Sequence, residues 1–181
     1  MDVEALYAAL LADAEARGVR LVSKARVWHQ RVIAVLLRIV TFGAQDVYID
    51  RYVTTIGRSI YVTPDWPERS AIDRYVTLRH EMVHVHQFET YGVVPMAIAY
   101  LLLPLPAIFA WCRMALEREA YEETVRVSHA LGGRAATDRL RDHVVRQFTS
   151  GSYGWMWPFR RRMERWYDAL VDSLEAGRDV N

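Results

Sequence analysis

His80-Glu81-Met82-Val83-His84 is the stretch of this sequence whose residue types and spacing can do chemistry. A helix turns about 100° per residue, so positions four apart are offset by only about 40° and project from one face. On a helix, His80 and His84 can grip one metal ion, and Glu81 beside them can reach a water on that ion without ligating it. Two imidazoles favour zinc over calcium or magnesium, which take oxygen ligands. The intervening carboxylate supplies a general base for hydrolysis. His86 is a tempting third ligand, but at about 200° from His84 it faces away. The position four beyond His84 is Phe88, so a third ligand must come from elsewhere in the chain.

The motif works only on a helix, and the surrounding residues predict one. Asp65-Trp66-Pro67-Glu68 has the character of a turn running into a helix start, with Ser70 and Asp73 as further polar starting points. From Ala71 to Tyr91 there is neither proline nor glycine, and Gly92 supplies a stop. Val76, Met82, Val83, Val85 and Gln87 give the motif partly apolar flanks, as suits a helix buried on several sides.

Downstream, Leu116-Glu117-Arg118-Glu119-Ala120-Tyr121-Glu122 offers carboxylates on a second helical stretch. HExxH followed by a helix with a Glu-x-x-Ala-Asp-like motif resembles the gluzincin group of zinc metallopeptidases. The resemblance implies that Glu117 is the third zinc ligand and that Ala120 is the small position letting two helices approach. It also places Tyr121 where the group has an aspartate bonded to a ligand histidine; a phenol can accept that N–H, more weakly. Glu119, about 200° around from Glu117, is the alternative ligand, and both cannot face one ion. Thr54 to Val62 and Tyr153 to Phe159 resemble small bacterial HExxH proteins for which no substrate is known. A deformylase-like site is disfavoured, because its cysteine ligand should precede the motif and the only cysteine, Cys112, follows it.

Composition sets the frame. The chain has 181 residues, enough for one domain with a sizeable core, and its net charge of +1 gives no general pull toward nucleic acid or acidic membrane. One cysteine excludes an internal disulfide and fits a reducing compartment. Met1-Asp2-Val3-Glu4 lacks the basic start of a secretory signal, so the expectation is cytoplasmic.

Val3, Leu6, Leu10 and Ala14 predict an amphipathic first helix closed by Gly18, and about 25 to 40 predicts a second. Val47 to Thr54 and Ser59 to Thr63 alternate and are rich in strand formers, so they predict a hairpin around Ile56-Gly57-Arg58. That hairpin either completes a small sheet or offers an edge to an extended substrate. Val93 to Cys112 carries no charge, long enough for a membrane span, but Pro95, Pro104 and Pro106 interrupt it. The preferred reading is a proline-broken pair of helices, one ending near Leu103 and one running from Pro106 through Glu117, packed on the motif helix. Peripheral membrane contact through 93–112 is the alternative. Tyr153, Trp155, Trp157 and Phe159 precede Arg160-Arg161-Arg162, and Pro158 is expected to open a C-terminal helix with Met163, Trp166, Leu170 and Leu174 facing inward. Three adjacent arginines in a balanced chain do not make a nucleic-acid site.

These features together predict an α+β, mainly α fold: a single domain with N-terminal helices over 1–45, a hairpin and metal-site core over 46–135, and an aromatic and basic helical part over 136–181. The expected chemistry is peptide hydrolysis by a zinc metallopeptidase acting on a peptide or protein. His80, His84 and Glu117 would hold Zn2+, and Glu81 would be the general base. Tyr121, His143 and Tyr153 are candidate supporting groups for the histidines or for a developing oxyanion. The alternative is a non-catalytic, zinc-stabilised or membrane-associated interaction protein. Oligomeric state, substrate and cleavage preference are not written in the residues.

Overall fold

The computed structural model describes residues 2–24, 53–101, 108–150 and 157–177, and it is mainly helical with one small sheet, an α+β architecture. By its contacts the chain divides into two compact units, Asp2–Val93 and Val94–Asn181. The division falls at 93/94. The first helix belongs with the motif helix because the two pack on each other.

In the first unit, α1 (Val3–Ala16) is capped by Asp2, whose carboxylate accepts the Ala5 amide. Of the expected stripe, Ala14 is buried and Leu10 packs against the core, joined by Tyr7 and Leu11, whereas Val3 and Leu6 stay half-buried outside it. Past Gly18 the chain enters β1 (Arg20–Ser23), a strand the sequence reading did not anticipate. β2 (Thr54–Ile56) and β3 (Ser59–Val62) form the expected antiparallel hairpin, with Gly57 at φ +58 in a two-residue loop and Ile56 already in the strand. Of the first expected strand, 47–52 lie outside the described residues, as does the helix expected over 25–40. β1 pairs parallel to β3, from Arg20 opposite Ser59 to Ser23 opposite Val62, so the sheet order is β1-β3-β2.

A short 3-10 turn, Trp66–Glu68, leads into α2 (Ala71–Tyr91). Ser70 is the N-cap, its hydroxyl accepting the Asp73 amide at 3.2 Å, and Gly92 ends the helix. Tyr75, Leu78, Met82 and Val85, spaced three or four apart, make the apolar side of α2. They pack with Tyr7, Ala14, Ile60, Val62 and Trp66 into one core. The indole of Trp66 donates to the Tyr7 hydroxyl at 3.3 Å. At the rim, Arg58 in the hairpin loop holds Glu89 of α2 at 3.0 Å.

The second unit holds most of α3 (Val93–Leu101), then α4 (Ile108–Thr149) and α5 (Arg160–Glu175). Pro95 sits in the first turn of α3, where its missing N–H costs nothing. Pro104 and Pro106, and with them the break between the two expected helices, lie outside the described residues. No described helix is long and apolar enough to cross a membrane.

α4 is two helical arms broken at Gly133, whose φ of 61° and ψ of −159° are non-helical. At the preceding glycine a Cβ would stand 2.8 Å from the Ala136 Cβ, so the pair Gly132-Gly133 permits the turn sterically. The arms fold back on each other: Tyr121 of the first meets Phe148 of the second edge-on, ring centroids 5.3 Å apart. α5 closes this core with Met163, Tyr167, Leu170 and Val171, while Trp166 and Leu174 of the expected stripe lie at its edge. Pro158 is not the first helical residue. It stands two positions before the helix, and Phe159 occupies the N-cap without a side-chain bond. Trp157 packs at the border of the same core, its amide bonded to the Phe148 carbonyl at 2.9 Å and Arg162 lying over its ring.

Candidate metal centre

The side of α2 turned away from its apolar stripe carries His80, His84 and Gln87, and Glu81 lies between that side and the stripe, next to the sheet. The two imidazoles lie edge to face with centroids 5.0 Å apart, as the four-residue spacing on a continuous helix requires. His84 is buried, His80 is half-buried and His86 is exposed, so His86 does point away from the pair.

His84 Nδ1 lies 2.9 Å from Gln87 Oε1. An amide oxygen only accepts, so Nδ1 carries the proton and the ring lone pair sits on Nε2. A histidine ligand is commonly fixed in this way, by a second partner that sets its tautomer and ring orientation. Sequence reasoning treated Gln87 only as part of the helix flank. Its place three residues after His84 is the local signal that could have revealed the bond.

Glu81 is 5% exposed. Thr55 of β2 donates its hydroxyl to Glu81 Oε2 at 2.7 Å, the usual length of an O–H···O bond. The hairpin therefore does more than complete a sheet, because its β2 strand orients the carboxylate of the motif.

Sequence reasoning missed one further charged group. Lys24, directly after β1, is 1% exposed, and its ammonium donates to Thr54 Oγ1 at 3.0 Å. Burial pushes its pKa from 10.5 down to about 8, and the negative charge of Glu81 works against that fall. The ammonium is still charged at neutral pH. No local pattern marks such a lysine, because its partners come from β2 and α2.

In the second unit, Glu117 is buried on the first arm of α4, whereas Glu119 is exposed. The two are on different sides of the helix, as their spacing requires. Ala120 is fully buried, and Tyr121 contributes its ring to the core against Phe148. His143 is exposed on the second arm and lies 3.3 Å from the Gln147 amide. With Tyr121 opposite Phe148, His143 stands level with about Arg126, roughly 13 Å along the helix axis from Glu117. That distance removes His143 from the supporting groups of a site built on Glu117. Tyr153 lies outside the described residues.

No family model matches the chain, and no curated protein or solved structure was found to be similar to it.

Proposed function

We propose that this protein is a zinc-dependent hydrolase of peptide bonds, with His80, His84 and Glu117 as metal ligands and Glu81 as general base. The observation that carries the reading is the set of bonds around the motif on α2: one histidine fixed in a ligand tautomer by Gln87, and the adjacent glutamate oriented by Thr55. A merely solvated helix face has no need of either bond. For the third ligand, support comes from the burial of Glu117 and from its belonging to the one His, Cys, Asp or Glu group among the described residues that could hold a metal ion.

Two imidazoles and one carboxylate are a donor set that zinc accepts, and three protein ligands leave a position for water. Zinc bound there would polarise a substrate carbonyl and lower the proton affinity of water. Glu81 accepts the proton of the attacking water and delivers it to the nitrogen of the departing amine, so one carboxylate serves as base and then acid. Thr55, through Oε2, keeps that carboxylate in one orientation through both transfers. Gln87 holds the His84 ring so that Nε2 remains the donor.

The test is a paired assay of wild type and Glu81→Gln on fluorescein-labelled casein, with zinc measured on the same samples. Glu81→Gln keeps the size and the Thr55 bond but cannot take a proton. It should retain zinc and lose about 10²–10⁴-fold in turnover. Equal turnover in the two proteins would refute the assignment of the base.

A further inference from the structure

We propose that Lys24 is a positioning residue for Glu81, a buried positive group that holds the motif carboxylate in place through strand β2. The geometry assigns the role. Thr54 and Thr55 are consecutive in β2, so their side chains project to opposite faces of the sheet. On one face the Lys24 ammonium holds the Thr54 hydroxyl at 3.0 Å, and on the other the Thr55 hydroxyl holds Glu81 at 2.7 Å. Two buried, oppositely charged groups are thus tied to neighbouring residues of one short strand.

Burying a carboxylate is costly unless charge and hydrogen bonds compensate it. The Thr55 bond is a neutral donor and supplies no charge. Lys24 does: it is tied through Thr54 to the residue next to Thr55, and the charge of Glu81 acts on its ammonium against the effect of burial. Lys24 is also more buried than an ordinary surface lysine ever is, which a solvated or purely structural surface role does not require.

The catalytic half of this inference rests on the hydrolase reading above, but the pairing of Lys24 with Glu81 does not, and the test separates them. Wild type, Lys24→Met, Glu81→Gln and the double variant are compared by thermal unfolding. Lys24→Met removes a positive charge that acts on the buried Glu81 and should lower Tm by about 5–10 °C. In the Glu81→Gln background the same change should cost less than half as much, since no charge is left to compensate. A Lys24→Met chain that folds only together with Glu81→Gln is the extreme form of the same result. A double variant no more stable than additivity predicts, including one that also fails to fold, overturns the pairing.

On the zinc-loaded protein with labelled casein, Lys24→Met should lower kcat by about tenfold with KM and zinc content unchanged, a modest share of a general-base contribution. Lys24→Arg, which keeps the charge, should recover most of it. Unchanged kcat in zinc-loaded Lys24→Met overturns the positioning role. If wild type neither holds zinc nor cleaves casein, the hydrolase reading has failed, and the unfolding comparison alone still decides whether Lys24 and Glu81 are a pair.

Discussion

The seam between α4 and α5 and the seam between α2 and the sheet handle polar groups in opposite ways. Where α5 closes on α4, the interior is apolar, from Val144, Val145 and Phe148 to Met163 and Leu170, and the charges sit at the rim. Arg141 grips Asp168 with two bonds of 2.7 Å, and both side chains remain partly exposed. Arg134 with Asp172, and His129 with Glu175, are similar rim pairs. One polar group buried in this seam, the Tyr167 hydroxyl, donates to the Thr137 carbonyl, and its pKa is pushed up by burial. Around α2 and the sheet, charged and polar groups are themselves inside: Lys24 and Glu81 bonded to β2, and His84 and Gln87 on α2 itself. The first arrangement is what stability asks for. The second carries a desolvation cost that stability does not explain, and it surrounds the residues of the proposed metal site.

The comparison can be broken most severely by removing metal. A zinc chelator such as 1,10-phenanthroline should abolish casein cleavage, and added zinc should restore it, while Glu81→Gln stays inactive in both conditions. Cleavage that survives chelation would place the chemistry elsewhere. Next in size is Phe148→Ala. It empties a fully buried site between the arms of α4 and should cost about 3–5 kcal/mol in urea unfolding, with no direct contribution to zinc affinity. Stability within 1 kcal/mol of wild type, about the size of a surface effect, would deny that this seam is the apolar anchor.

Gln87→Leu keeps bulk but removes the acceptor for His84 Nδ1. Zinc affinity in a chelator competition should fall about 10–100-fold, the usual effect of losing such a partner. An unchanged affinity would mean that the tautomer of His84 does not depend on Gln87. Smallest of all is Arg141→Met, expected to cost under about 1 kcal/mol because both partners are partly exposed. The bond from Arg141 holds the Asp168 carboxyl below the usual carboxylate range. A depressed pKa contributes stability above the unfolded-state value, near pH 4, and that contribution is lost as pH falls through the folded-state value. Unfolding of Arg141→Met should therefore approach wild type in acid and differ slightly at neutral pH; a large difference that persists at pH 3 would contradict this.

What could be read from the sequence was local. Ser70 and Gly92 bracket α2 because cap and stop are short-range signals, and the histidine pair follows from spacing alone. The hairpin loop at Gly57-Arg58 and the stripe of α1 were legible for the same reason. β1 was not, since Arg20-Leu21-Val22-Ser23 is too short to show alternation and owes its existence to parallel pairing with β3. The fold-back of α4 was hidden inside a charged helical pattern, where Gly132-Gly133 was the signal left unused. Lys24 had no sequence signature at all. Its burial and its partners exist only once β2 and α2 have been brought to it. Pairing chemistry within one helix can be seen in a string of letters, whereas compensation of charge between distant elements cannot.

The central claim is that His80, His84 and Glu117 hold one zinc ion. The most direct measurement is the zinc-to-protein ratio of dialysed, zinc-reconstituted wild type beside His80→Ala, His84→Ala and Glu117→Ala. The account predicts one zinc per chain in wild type, loss of zinc from both histidine variants, and weakened retention in Glu117→Ala. A wild-type protein without zinc, or histidine variants that keep a full equivalent, would contradict it.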